Sequence, residues 1–308
     1  MQTSSSKIVL SGASGMLGTA MRHALAARNV PVMQLVRRPA SALGEIGWNP
    51  ARFPPVDNPE ALEGFSAAIH LSGANVAGHR WTEAYKREMM DSRVDSTRAL
   101  AALLASLRRP PQVLLVASAV GIYGDRGDEV LDESSIPGSG FLASLCEQWE
   151  VAAQPARDAG IRVVHLRSGV VLGRGGALAR MLPIFRLGLG GPLGSGKQWM
   201  SWISLDDWVA AILFALDTPD LAGAVNLTAP NPVTNGEFTR AVARQLHRPA
   251  IFPAPAFALR LALGQMADEA LLASARVLPA RLTAAGFRFT HPTIQPALAA
   301  ALPTHALS

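Results

Sequence analysis

Short apolar runs recur along the chain, each closed by a glycine or polar break and followed by a longer stretch with helical spacing. Ile8-Val9-Leu10 is the first such run, and an Ala- and Leu-rich helical pattern follows from Met16 to about Arg28. Further strands are expected at Val32–Val36, at Glu45–Trp48 before a Pro-rich loop, at Ser66–Leu71, at Gln112–Ala117 and at Ile161–Leu166. Helices are expected over Thr82–Leu107, stopped by Arg108-Arg109-Pro110-Pro111, and over Ser139–Ala159, closed by Gly160. Strands alternating with helices predict an α/β fold with a doubly wound parallel sheet. Beyond Arg167 the pattern changes. Glycines crowd Gly169–Gly196, Ser204–Leu216 is helical, and the short run Val225–Leu227 returns to the sheet. The expected division is a dinucleotide-binding domain over residues 1–168, rejoined by a segment near 200–229. A smaller substrate lobe then comprises residues 169–199 and the Pro-punctuated, helix-rich 230–308.

The first strand leads directly into candidate chemistry. Gly12, Gly15 and Gly18 follow it at three-residue spacing and open the first helix. Such a turn cradles a pyrophosphate: the first glycine allows the tight turn, the second the close approach of backbone to phosphate, the third the packing of helix on strand. An ordinary strand–helix turn would share the spacing. About 20 residues on, an NAD site places an acidic residue against the ribose hydroxyls. Here the second strand runs into Arg37-Arg38, and two guanidinium groups suit a 2′-phosphate. The cofactor expected is therefore NADP.

Composition narrows the classes. The chain of 308 residues is 49% hydrophobic and 17% charged, enough for a sizeable core. A net charge of +5 comes without a basic run or interleaved aromatic patch, so nucleic acid is not an expected partner. One cysteine, Cys146, excludes an intrachain disulfide framework and fits a reducing, cytoplasmic compartment. Met1–Ser6 is a short polar lead and no apolar run approaches the length of a membrane span, so no membrane partner is expected. A small-molecule substrate is expected, and a homodimer is left open.

Several motifs carry a family resemblance over nearly the whole chain. They are the glycine turn, Arg80-Trp81, Ser92-Arg93-Val94, Ser118-Ala119-Val120-Gly121-Ile122-Tyr123-Gly124 and Trp149-Glu150. They continue with Arg167-Ser168-Gly169-Val170-Val171-Leu172-Gly173, with Leu189–Gly196, with Trp202-Ile203, and with Val277-Leu278-Pro279 and Gly286-Phe287-Arg288-Phe289 near the end. Together they resemble the extended short-chain dehydrogenase/reductases, and more closely the atypical branch called the sugar-nucleotide-epimerase-like family with its C-terminal module of unknown function. The resemblance implies a Rossmann domain and an NADP contact set of Gly12, Ser14, Gly15, Met16, Leu17, Gly18, Arg37, Arg38, Leu71, Ser72, Gly73, Glu88 and Arg93. It also implies a nucleotide-linked substrate as one option. Where many relatives carry His after Trp-Ile, this chain has Ser204.

The chain departs from the wider group at its proton-transfer pair. Typical members carry Tyr-x-x-x-Lys on the helix after the Ser strand, the lysine lowering the tyrosine pKa. Here the pair is Phe141 and Leu145 in one register, or Leu142 and Cys146 in the next. The chain holds two tyrosines, Tyr85 and Tyr123, and only Tyr123 stands near a strand's C-terminal end, where open α/β sheets bind ligands. Ser118 and Tyr123 are therefore the candidate catalytic residues, with a pocket-wall role as the alternative for Tyr123. Gly191–Gln198 nearly spells a P-loop, but Gln198 replaces the magnesium-binding hydroxyl and no strand precedes it. The seven histidines lack ligand spacing, so no metal is expected. Trp48, Trp81, Trp199 and Trp202 form either an aromatic substrate wall or core. Two functions compete: an NADP-dependent oxidoreductase or epimerase-like enzyme, and a non-catalytic NADP-binding regulator, as in relatives tied to cell division.

Overall fold

The computed structural model describes residues 7–302; the polar lead Met1–Ser6 lies outside them. Seven strands form one parallel sheet: β1 (Ile8–Ser11), β2 (Val32–Val36), β3 (Glu45–Gly47), β4 (Ala67–His70), β5 (Val113–Ala119), β7 (Arg162–Ser168) and β11 (Gly223–Leu227). Their order is β11-β7-β5-β4-β1-β2-β3, so the winding reverses between β1 and β4. At that reversal the loops leave in opposite directions and open a crevice at the strands' C-terminal ends. The sheet is covered on both faces, as continuous apolar strands require. One face takes α1 (Met16–Ala27) and α6 (Leu205–Asp217). The other takes α2 (Glu83–Ala105), α3 (Phe141–Val151) and α4 (Gln154–Asp158).

The expected helix over Ser139–Ala159 is two helices, because the chain breaks at Ala152-Ala153 and restarts with Pro155 in the first turn. The glycine-crowded segment contains α5 (Gly176–Arg186), whose period the flanking glycines and Pro183 conceal. The short strands β8 (Val170–Leu172) and β10 (Trp202–Ser204) pair in parallel. The short strands β9 (Trp199–Met200) and β12 (Val233–Thr234) pair antiparallel.

The smaller lobe has its own core. Leu178, Leu182 and Phe185 of α5 meet Phe238 and Val242 of α7 (Asn235–Leu246) and Ile294 and Leu298 of α10 (Ile294–Ala301), around Trp202. The chain also runs through α8 (Ala256–Leu263), β13 (Arg276–Val277), which pairs with β6 (Val130–Leu131), and α9 (Ala280–Ala284). Three carboxylates bind this C-terminal segment to the rest. Glu133 accepts the amides of Asn226 and Arg281. Buried Asp207 accepts those of Thr290 and His291 at 2.7 and 2.9 Å. Glu269 accepts those of Phe141 and Leu142 at 3.0 and 2.7 Å, capping α3, whose Gly140 has no side chain to do so. Of the five phenylalanines after Pro230, Phe238 is in the lobe's core, Phe287 packs on Phe214 of α6 and Phe289 on Phe287, whereas Phe252 and Phe257 stay exposed.

The P-loop look-alike is a packing joint. A Cβ on Gly191 would overlap the backbone of Phe252, and Gly194 and Gly196 have positive φ against Leu272 and Pro192. Buried Gln198 donates to the carbonyls of Leu193 and Leu271.

Candidate functional site

The crevice between β1 and β4 is built by close backbone approach. Gly12 has φ +72°, and a Cβ there would lie 2.7 Å from the carbonyl of Leu71; a Cβ on Gly18 would overlap the carbonyl of Gly12. A Cβ on Gly15 would meet only the carbonyl of Gly12, at 3.7 Å, and Gly15 is the N-cap of α1, which has no side-chain cap and no acidic residue in its first turn. The first amides of α1, from Met16 and Leu17, are therefore left for an anion, and the helix dipole favours one. Ser14 is exposed on the same loop. Met16 carries the β8–α5 connection, since its Sδ would lie 2.9 Å from a Cβ on Gly175.

Opposite this loop, Leu71, Ser72 and Gly73 leave β4. A Cβ on Gly73 would press at 3.1 Å on the guanidinium of Arg93. Arg93 is buried, donates to the carbonyls of Ala74 at 2.8 Å and Met89 at 3.2 Å, and lies 5.0 Å from the Trp149 ring. No carboxylate pairs with it among the described residues, and burial lowers its pKa. It fixes the 73–74 turn from beneath. Glu88 is exposed on α2 and makes no ion pair with Arg93 among the described residues.

The two arginines after β2 differ. Arg38 donates to both oxygens of Glu45, at 2.9 and 2.6 Å, and to Ser41. That pairing pulls the Glu45 carboxyl down to about 2. Arg37 is exposed, with no hydrogen bond or ion pair among the described residues. The sequence treats them as one pair; only Arg37 is uncommitted.

Ser118 and Tyr123, the candidate catalytic residues, belong to a buried polar network that engages both hydroxyls. Ser118 Oγ donates to Glu150 at 2.8 Å. Glu150 and Arg167 form a bidentate ion pair at 2.8 and 2.9 Å, and Arg167 donates to the Tyr123 hydroxyl at 3.0 Å. The Tyr123 hydroxyl in turn donates to Asn226 at 2.8 Å, and Tyr123 is completely buried. Burial raises its pKa, with Arg167 opposing. Glu150, which burial would raise, is held below the usual range by Arg167 and Ser118. Strand alternation turns Ser118 with Leu114 and Val116 toward the α2/α4 face, and Ala119 with Val113 and Leu115 toward the other. Glu150 and Arg167 were visible as family marks, yet no sequence signal joined them to Ser118.

On the helix that carries the proton-transfer pair in typical members, the two registers face different neighbours. Leu142 lies against Gly121 at the end of β5, and Cys146 packs with Ile122 and Tyr123, whereas Phe141 and Leu145 turn to Trp81 and Met266. Neither register offers a phenol or an ammonium group, and burial pushes the Cys146 thiol up to about 12. Trp48 and Trp202 are core, and Trp81 donates to the carbonyl of Val76. Ser204 caps α6, and His291 stands 3.1 Å from it. Across the crevice, Arg180 of α5 donates to the carbonyl of Ala77. No group of metal-ligating side chains occurs among the described residues.

A reversal-point crevice with an uncapped glycine turn defines a dinucleotide-binding protein of the Rossmann class. The model of the NAD dependent epimerase/dehydratase family matches residues 8–227, and that of a domain of unknown function matches 254–301. The chain belongs to the NAD-dependent epimerase/dehydratase family. It is 46% identical over 294 residues to the epimerase family protein Mb2239 of Mycobacterium bovis, covering 94% of this chain and 96% of that one. A crystal structure of human epimerase family protein SDR39U1 with NADPH superposes with a TM-score of 0.89 at 34% identity, over 97% of this chain and 100% of that one. The nucleoside-diphosphate sugar epimerase of Corynebacterium glutamicum superposes with a TM-score of 0.79 at 35% identity, over 96% of this chain and 58% of that one.

Proposed function

We propose that the protein is an NADPH-dependent reductase that works without a side-chain phenol as proton donor. Carrying this reading is the pairing of an uncapped α1 N-terminus with an uncommitted Arg37 at the end of β2. The amides of Met16 and Leu17 take the pyrophosphate, Arg37 takes the 2′-phosphate, and Leu71–Gly73 close the adenine-proximal wall. The human relative with NADPH bound supports the same choice of cofactor. Bound NADPH supplies a hydride. The chain's part is to hold the cofactor and to line the substrate side with Leu142, Gly121 and Ala119, and the proton comes from water. Ser118 and Tyr123 serve by holding the end of β5 to Glu150 and Arg167.

A second reading, a non-catalytic NADPH-binding regulator, is favoured by the enclosure of both candidate catalytic side chains. Calorimetry with NADPH and NADH tests the cofactor assignment. NADPH binds more tightly, and Arg37→Ala removes roughly 10- to 100-fold of that preference, the worth of a charge-assisted contact. Arg38→Ala acts more weakly, through Glu45. Equal affinities for the two cofactors contradict the assignment. NADPH consumption across a panel of carbonyl, activated-alkene and nucleotide-sugar substrates separates reductase from regulator.

A further inference from the structure

The smaller lobe presents a face that is both apolar and basic. Among the described residues, seven of the twelve large hydrophobic side chains that the fold leaves exposed lie on two stretches of it. Ile184, Leu187 and Leu189 come from the end of α5 and its exit. Ile251, Phe252, Phe257 and Leu261 come from α8 and its approach, with Phe257 73% and Leu261 78% exposed. The two stretches run side by side: the amide of Phe252 donates to Gly190, Arg248 Nε donates to the carbonyl of Arg186, and Pro249 lies against Gly188. The α8 sequence, AFALRLAL, is apolar throughout, yet none of its residues is buried. Phe257 and Leu261 stand one turn apart on its outer side.

Charge on this face is one-sided. Segments 169–199 and 238–267 hold eight of the 28 Lys and Arg residues and none of the 23 Asp and Glu, leaving 20 basic against 23 acidic residues elsewhere. Arg186, Arg244, Arg248 and Arg260 are exposed among or beside the apolar side chains. The nearest acid, Asp268, pairs with Arg260 at 2.7 Å.

We propose that this face docks the protein on an anionic phospholipid surface, with Phe252, Phe257 and Leu261 entering the headgroup boundary and the arginines meeting lipid phosphates. No helix among the described residues is long and apolar enough to cross a membrane, so the attachment is interfacial. A second copy suits the face less well, since a two-fold contact would oppose the same arginines to one another. On its inner side α8 places Leu263 against the cluster of Trp81, Tyr85, Met89 and Leu145.

Flotation of the full chain with vesicles tests this, using phosphatidylcholine alone and equal parts phosphatidylcholine and phosphatidylglycerol. The protein should float with the mixed vesicles and be released by salt. Arg186→Gln with Arg248→Gln should weaken binding about 30-fold, from about 5-fold per cation near an anionic leaflet. Phe257→Ser with Leu261→Ser should weaken it at least about 10-fold, with NADPH affinity and melting temperature unchanged as controls of folding. No flotation with the mixed vesicles overturns the proposal and leaves the face to a protein partner. Equal, salt-insensitive binding to both vesicles overturns it as unspecific adsorption. A dimer that Phe257→Ser with Leu261→Ser dissolves, with no flotation by the unmodified chain, assigns the face to a second copy.

Discussion

A phenol can donate a proton to substrate only if its oxygen reaches the reacting atom, and Tyr123 spends its hydroxyl on Asn226 and Arg167. Its position at the end of β5 was legible in the sequence; its direction was not. Direction depends on partners 44 and 103 residues away, and on which face of β5 each side chain takes. Arg37 and Arg38 teach the same point. Two adjacent guanidiniums read as equivalent until Glu45, seven residues on, is seen to take one of them. By contrast Gly12 and Gly18 were legible outright, because only glycine fits where backbone touches backbone. Tyr123→Phe leaves the Asn226 carbonyl without its donor and one Arg167 N–H without its acceptor, at a cost of about 1–3 kcal/mol of stability. Denaturant melts should show that loss while NADPH affinity holds. Once a substrate is found, turnover should stay within a few-fold of the parent. A fall of about 10²–10⁴-fold would restore the acid role.

Between elements, α4 docks on β7 through one titratable contact. Arg157 of α4 donates to His165 Nε2 at 3.0 Å, so Nε2 must be unprotonated, and Nδ1 is buried without a partner. Burial lowers the imidazole to about 4; the Glu150 carboxylate opposes this, and Arg157 and Arg167 add to it. A histidine lowered in the folded state binds its proton more readily when unfolded, so its stabilising contribution is complete above about pH 6.5. Stability then falls as pH drops from there toward about 4, by roughly 1–3 kcal/mol for this group. Urea melts at about pH 7 and about pH 5 should show the loss, and His165→Asn should flatten it over that window. An unchanged slope in the variant would place the titration elsewhere, with His70, buried between Ser11 and Ser96 and lowered to about 3, next in line. Element type was well marked in the sequence wherever the apolar period ran unbroken, as in α1, α2 and α6. It was masked where glycine or proline interrupts that period, as at α5 and at the junction of α3 and α4.

At the scale of the molecule, the sheet and its crevice follow from alternation alone, whereas the C-terminal segment gains its place from contacts distant in sequence. Truncation after Thr228 tests how far the fold depends on that segment. It removes Phe238, Val242, Val277, Leu282, Ile294 and Leu298, each 4% exposed or less. At about 1.5–3 kcal/mol per large buried side chain the loss over these residues is roughly 9–18 kcal/mol, comparable to the whole stability of a domain. The cut also strands polar groups that hold the segment, an acceptor at Asp207 and donors at the start of α3. Buried Asp207 loses the amides of Thr290 and His291, and α3 loses its Glu269 cap. On the outer face, α6 loses Phe287 from against Phe214. The shortened chain should therefore be insoluble, or should bind a hydrophobic dye and melt without cooperativity. Adding the segment back as a separate chain should not rescue it at ordinary concentrations, since Leu282 must enter the sheet's own core. A truncated protein that stays soluble, melts cooperatively and binds NADPH with the parent's affinity would make residues 229–302 an independent module.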